Sequence, residues 1–257
     1  MTTNYNVTCP TGFSYLARPL LIDDVKYLTD KKIVKEGTSI IRLLQEVCVS
    51  VLDYGYYASG EEFSWDTVYT GDILKALLDV RVGSFDDEVT IPFICTNPDC
   101  KEAYPLNLKI SDIKIVPVSE ITRNHITEGK LFKCTFDDAE GKPHTTTFGI
   151  PNFKDTIRIT KALRGLPDDQ TIAASLALRL GDISDVHAND KRNFISKLEM
   201  KTMMGLRDLM DSVDFGVQSD YKTVCSECDK VQTVDLPLDS QGFLFPTKGK
   251  SSVQLVS

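Results

Sequence analysis

A chain of 257 residues with 37 acidic and 29 basic side chains, and so a net charge of −8, is long enough for one large domain or two modest ones. It shows none of the basic striping through which nucleic-acid binders neutralise phosphates, so no nucleic-acid partner is expected. At 42% hydrophobic and 26% charged residues it has the composition of an ordinary globular protein, and no apolar run approaches the ~20 residues of a membrane-spanning helix.

The opening "MTTNYNVTCPTGFSY" has neither a basic nor an apolar leader region, so no secretion signal is expected and the thiols are read in a reducing cytoplasm. "ARPLLIDDVKYLTD" predicts a short extended piece through Pro19, then a short helix. "GTSIIRLLQEVCVSVLDYG" places Ile40, Leu44, Val47, Cys48 and Val51 on one helical face between Gly37 and Gly55. "YTGDILKALLDVRVGSF" predicts a further helix, with Thr70 as N-cap, Ile73, Leu74, Leu77 and Leu78 as its buried face, and Gly83 as its stop.

Strands follow near 88–94 and 103–110. Residues 130–150 read as a hairpin around Ala139-Glu140-Gly141-Lys142. The chain then turns helical. "NFKDTIRITKALRG" is one helix, and "PDDQTIAASLALRLG" is a second, with acids in its first turn and Arg179 in its last. "NDKRNFISKLEMKTMMGLRDLMDSV" is expected as a third and the longest, with Met203, Leu206, Met210 and Val213 on one face. The polar tail 247–257 is expected to be mobile, or ordered only against a partner.

Seven cysteines, an odd number, argue against a disulfide framework. Cys48 and Cys134 fall on apolar faces and read as core, and Cys9 has no ligand-like neighbour. The other four form two pairs in matching contexts: Cys95 and Cys100 in "FICTNPDCKEAYPLNL", Cys225 and Cys228 in "TVCSECDKVQTVDLPL". In each, an apolar β-type residue precedes the first cysteine, a tight turn follows, and a leucine-bearing strand returns. Such a turn lets two thiolates converge on one metal at about 2.3 Å, and a closed structural zinc site needs four ligands. Two knuckles supply them, so Cys95, Cys100, Cys225 and Cys228 are the candidate ligands of a structural zinc. A redox CxxC would open a helix, whereas Cys228 leads into a β-type run.

No catalytic constellation accompanies the pairs. There is no GxxxxGK[ST] loop and no GxSxG elbow. His125, His144 and His187 lack zinc-hydrolase spacing and read as surface or loop residues. The acidic pairs at 23–24, 86–87, 137–138 and 168–169 read as helix starts and turns. No catalytic activity is expected.

The order of features carries a resemblance. Arg18-Pro19-Leu20 leads into Asp23-Asp24, then into "IIRLLQEVC". Asp72, Leu77, Leu78, Arg81 and Ser84 stand in a D-x-x-x-x-L-L-x-x-R-x-x-S arrangement just before the first cysteine pair. The second pair is followed by Phe243-Leu244-Phe245-Pro246. Over residues 15–246 the chain resembles the T4-type bacteriophage baseplate hub protein family, while 111–165 reads as an insertion. The resemblance implies a structural or hub-assembly protein of the tail baseplate, binding other tail or baseplate proteins, with the tape measure and the central hub as candidate neighbours. It implies assembly in the host cytoplasm and a place in the virion tail.

The expected fold is α+β, with a helical N-terminal part, a central β region carrying a split zinc-ribbon-like pair of knuckles, and a C-terminal helical subdomain. The expected divisions are 1–110, 111–150, 151–246 and the tail 247–257. Two alternatives stay open at this point: a zinc-ribbon adaptor in transcription and a zinc-dependent hydrolase.

Overall fold

A computed structural model describes residues 3–238 and 240–245; Pro246 and the tail 247–257 lie outside the described residues. The chain opens with two strands that sequence reading missed, β1 (Tyr5–Thr8) and β2 (Phe13–Ala17). Short helices α1 (Lys26–Thr29) and α2 (Lys31–Glu36) precede α3 (Ser39–Val47) and β3 (Cys48–Tyr54). The helix expected to run on toward Gly55 therefore ends at Val47. Cys48, assigned to its apolar face, instead opens a strand and is half-buried. Pairing with β2 is the reason, since Ala17, Tyr15 and Phe13 face Cys48, Val51 and Tyr54 across the sheet. The β-branched Val49 and Val51 suit that pleated surface.

Next comes α4 (Thr70–Ser84). Gly83 does not stop it. The helix runs on through Ser84, and Gly83 provides the flat spot on which the Tyr5 ring lies, where any Cβ would collide with that ring. The chain continues as β4 (Glu88–Ile94), β5 (Ala103–Lys109) and β6 (Ile115–Val116). It then forms α5 (Glu120–Glu128), a helix the sequence reading missed, capped by the Ser119 hydroxyl and closed by left-handed Gly129.

After α5 come β7 (Phe132–Asp137), β8 (Pro143–Phe148), α6 (Phe153–Leu163) and α7 (Asp168–Arg179), all close to expectation. The predicted longest helix is instead two, α8 (Lys191–Ile195) and α9 (Met200–Ser212), so α4, at 15 residues, is longer than either. No glycine or proline marks the break. The chain turns at Ser196–Glu199, and Ile195 and Leu198 on either side of the turn are both buried. The expected face of α9 holds, with Leu206 and Met210 buried and Met203 and Val213 packed beside them. Last are β9 (Gly216–Val217), β10 (Asp220–Val224), β11 (Val231–Asp235) and α10 (Gln241–Leu244).

The architecture is α+β, with small antiparallel sheets and helices gathered into two compact units. The first comprises the described residues of Met1–Gly55, Asp72–Val116 and Gly216–Ser257; the second comprises Tyr56–Gly71 and Pro117–Phe215.

The first unit holds the sheet β1-β2-β3, the two-stranded pair β6-β9 and the hairpins β4-β5 and β10-β11. Its family-like residues are internal fasteners. Asp72, fully buried, accepts from the Thr11 backbone N–H and from the Thr11 hydroxyl. Arg81, 2% exposed, donates to the carbonyls of Phe243, Asp86 and Glu88, pinning α10 and the start of β4 to α4. Ser84 accepts from the Leu20 N–H. Arg18 forks onto buried Asp24 at 2.8 and 2.9 Å, the bidentate geometry that makes such a pair directional.

In the second unit the inward face of the β7-β8 hairpin (Phe132, Cys134, Phe136 and Phe148) packs with Leu176, Leu180, Ile195, Leu206 and Met210 in one apolar cluster. Cys134 is core, as its strand position predicts.

Candidate metal centre

The two cysteine pairs sit at the tips of two regular hairpins. β4 and β5 pair in register from Glu88–Lys109 to Ile94–Ala103, and β10 and β11 from Asp220–Asp235 to Val224–Val231. Strand alternation buries Val89, Ile91, Leu106 and Leu108 on one hairpin and Gln232 and Val234 on the other. The same phase carries Cys95 and Cys225, each one residue past its strand, to buried positions of 3% and 0% exposure, while the preceding Ile94 and Val224 remain exposed.

The two tips share one backbone device, although four residues separate the first pair and two the second. In each, the N–H of the first cysteine donates to the carbonyl two residues beyond the second: Cys95 to Glu102 at 2.8 Å and Cys225 to Lys230 at 3.1 Å. In each, the residue just after the second cysteine is left-handed, Lys101 at φ 51° and Asp229 at φ 53°. Side chains other than glycine enter that region at a cost of about 1–2 kcal/mol, so both tips hold a tight reversal against local preference.

The structure brings all four predicted sulfurs together, within 4.8 Å of one another. Cys95 Sγ lies 3.7 Å from Cys228 Sγ, and Cys100 Sγ lies 3.9 Å from Cys225 Sγ. Each close pair therefore joins one hairpin to the other, across 133 and 125 residues of sequence. Four thiolates bound tetrahedrally at about 2.3 Å would be spaced by about 3.8 Å, so the cluster is compatible with a metal site.

The protonation states point the same way. The Asn97 side chain and the Lys230 backbone N–H draw the Cys228 thiol down to about 7. For Cys100 the Glu102 backbone N–H favours the thiolate, but desolvation and the three neighbouring sulfurs together push it up to about 12. A divalent ion held among the sulfurs would offset the cost of ionising Cys100.

Sequence reading missed the polar residues around the sulfurs. Gln232, 4% exposed, occupies an inward position of β11 where alternation calls for an apolar residue. That break in the pattern was the available signal. Its side chain reaches Thr96 and Cys95 on the other hairpin.

The histidines lie elsewhere. His187 is exposed, and His125 sits on α5 with its ring stacked 3.9 Å from that of Phe132. His144, expected at the surface, is instead 3% exposed on β8. Its Nδ1 lies 2.9 Å from the Ser184 carbonyl and its Nε2 3.0 Å from Asp138 Oδ2. Both partners are acceptors, so the doubly protonated ring satisfies them, and the Ser184 carbonyl, then Asp138, raise its pKa. A cleft of about 520 Å³ also lies in the second unit, lined in part by Arg158 and Lys191. Arg158 donates to the Leu178 carbonyl and Lys191 to that of Leu180, so both cations serve to hold the fold.

Comparison with curated proteins and with solved structures returns no match. A family model does match, over residues 2–243. That span contains both cysteine-tipped hairpins and the buried fasteners from Arg18 to Arg81, and the chain belongs to the T4 bacteriophage base plate protein family.

Proposed function

We propose that this protein is a non-enzymatic structural or assembly component of a phage tail baseplate hub, stapled by one structural zinc on Cys95, Cys100, Cys225 and Cys228. Family membership supports the baseplate role and contact with other phage proteins. The observation that supports the metal is the cross-hairpin cluster of four sulfurs within 4.8 Å of one another, with its two close pairs at 3.7 and 3.9 Å. A thiolate-only set with no remaining open position suits a structural ion rather than one that activates water. Closing a loop of 125 residues costs about 4 kcal/mol by the logarithmic law. Structural zinc contributes on the order of 10 kcal/mol, so the ion more than offsets the closure.

In this reading the protein assembles in the host cytoplasm and enters the tail beside the tape measure or the central hub. Two measurements test it. Metal analysis of the purified chain should give about one zinc per molecule, the stoichiometry of a closed site. Mass spectrometry of virions and of tail-assembly intermediates should find the chain with other baseplate proteins. A metal-free, fully folded chain would refute the staple, and absence from both particle fractions would refute the hub role.

A further inference from the structure

We propose that Gln232 is a positioning residue for the metal centre: its amide N–H binds the Cys95 sulfur from the opposite hairpin, fixes where that thiolate points and slows loss of the ion. The inference rests on the metal reading above and goes beyond it, because it assigns metal retention to a residue that is not a ligand.

The orientation of the amide follows from its partners. Gln232 Oε1 lies 2.7 Å from the Thr96 backbone nitrogen and 2.9 Å from the Thr96 hydroxyl. A backbone N–H only donates, so the oxygen must face Thr96. The NH₂ end is thereby turned to Cys95 Sγ, 3.3 Å away. The Asn97 backbone N–H approaches the same sulfur at 3.4 Å. Cys95 Sγ thus receives two donors, which suits a thiolate.

The Cys95 sulfur that Gln232 reaches lies 3.7 Å from Cys228 Sγ of the second hairpin, so the amide orients a sulfur that forms one of the cross-hairpin contacts. Partners of this kind orient metal ligands, and their removal commonly weakens metal affinity ~10–100-fold.

The test uses the full-length protein loaded with zinc, and in parallel with cobalt(II). Gln232→Glu keeps an oxygen for Thr96 but replaces the donor at sulfur with a second acceptor. Gln232→Leu keeps the inward bulk, should the glutamate impair folding. Both should release zinc to a chromophoric chelator ~10-fold faster or more. Both should also shift the sulfur-to-cobalt charge-transfer band to longer wavelength, because a thiolate without its hydrogen bond gives up electron density more easily. A merely structural role for Gln232 would leave that band in place. If the parent takes up cobalt with an all-thiolate spectrum and both variants match it in band position and release rate, the positioning role is overturned alone. A parent that takes up neither metal overturns the zinc reading and this role together.

Discussion

The two units organise their hairpins by different physics. In the second, the β7-β8 hairpin turns Phe132, Phe136 and Phe148 onto the side chains of α7, α8 and α9 and is held by apolar burial. In the first, β4-β5 and β10-β11 bring four sulfurs and the Gln232 amide to one point at their tips. Burial is additive and tolerates gradual loss, because each side chain contributes its own area. A metal ion held by these four sulfurs, as proposed, would act as one bond, so losing one ligand would jeopardise the contribution of all four. The first unit should therefore fail abruptly, and the second by degrees.

The largest expected effect tests that contrast. Cys225→Ser, or removal of the metal by a strong chelator, should forfeit most of the on the order of 10 kcal/mol that structural zinc supplies. Amide hydrogen exchange should lose protection in 88–109 and 220–235 while 132–148 keeps its own; equal loss in both regions would erase the distinction. The converse change is Ile195→Ala, at a side chain 0% exposed in the apolar cluster. It should cost about 2–5 kcal/mol, loosen 132–148, and leave zinc content unchanged.

A smaller effect is expected with pH. His144 has its pKa raised in the folded second unit, so its contribution is complete below its ordinary value of about 6.5 and fades as pH rises through the higher folded value. Asp138 is held below its ordinary range by the Lys142 backbone N–H and then by His144, so its contribution is present above about 3.9 and fades as pH falls through the lower folded value. The melting temperature of the second unit should therefore decline as pH rises from about 6.5 through the higher folded value of His144. His144→Phe should flatten that decline; an unchanged slope would remove His144 from the account.

The smallest effect concerns the hairpin tips. Lys101→Gly relieves a left-handed residue and should stabilise the first unit by up to about 1 kcal/mol, the strain relieved less the extra freedom of glycine when unfolded. Thermal melts at fixed zinc would read it, and destabilisation would show that Lys101 has another role.

The parts visible in the sequence were those whose cause is local. Two ligands on one tight turn leave a short spacing, so Cys95, Cys100, Cys225 and Cys228 were identifiable as a group before any coordinates. The alternation of Phe132, Cys134 and Phe136 ahead of the turn at Ala139-Glu140-Gly141-Lys142 likewise announces β7-β8. The parts that were hidden have distant causes. The switch from helix to strand at Cys48 carries no glycine or proline and is imposed by β2, more than thirty residues earlier. His144 is satisfied in its buried position by the carbonyl of Ser184, 40 residues away, which accepts a hydrogen bond from Nδ1. Arg81 in α4 was visible only as one position of a sequence pattern, because its partner, the carbonyl of Phe243, lies 162 residues on. Gln232 is the intermediate case, since its inward register was legible but its targets were not.

X-ray absorption at the zinc edge of the purified full-length protein tests the central claim most directly. The account predicts a single shell of four sulfurs at about 2.3 Å, reduced in Cys225→Ser. A shell containing nitrogen or oxygen in the parent protein, or no bound zinc in a chain whose two hairpins remain protected, would contradict it.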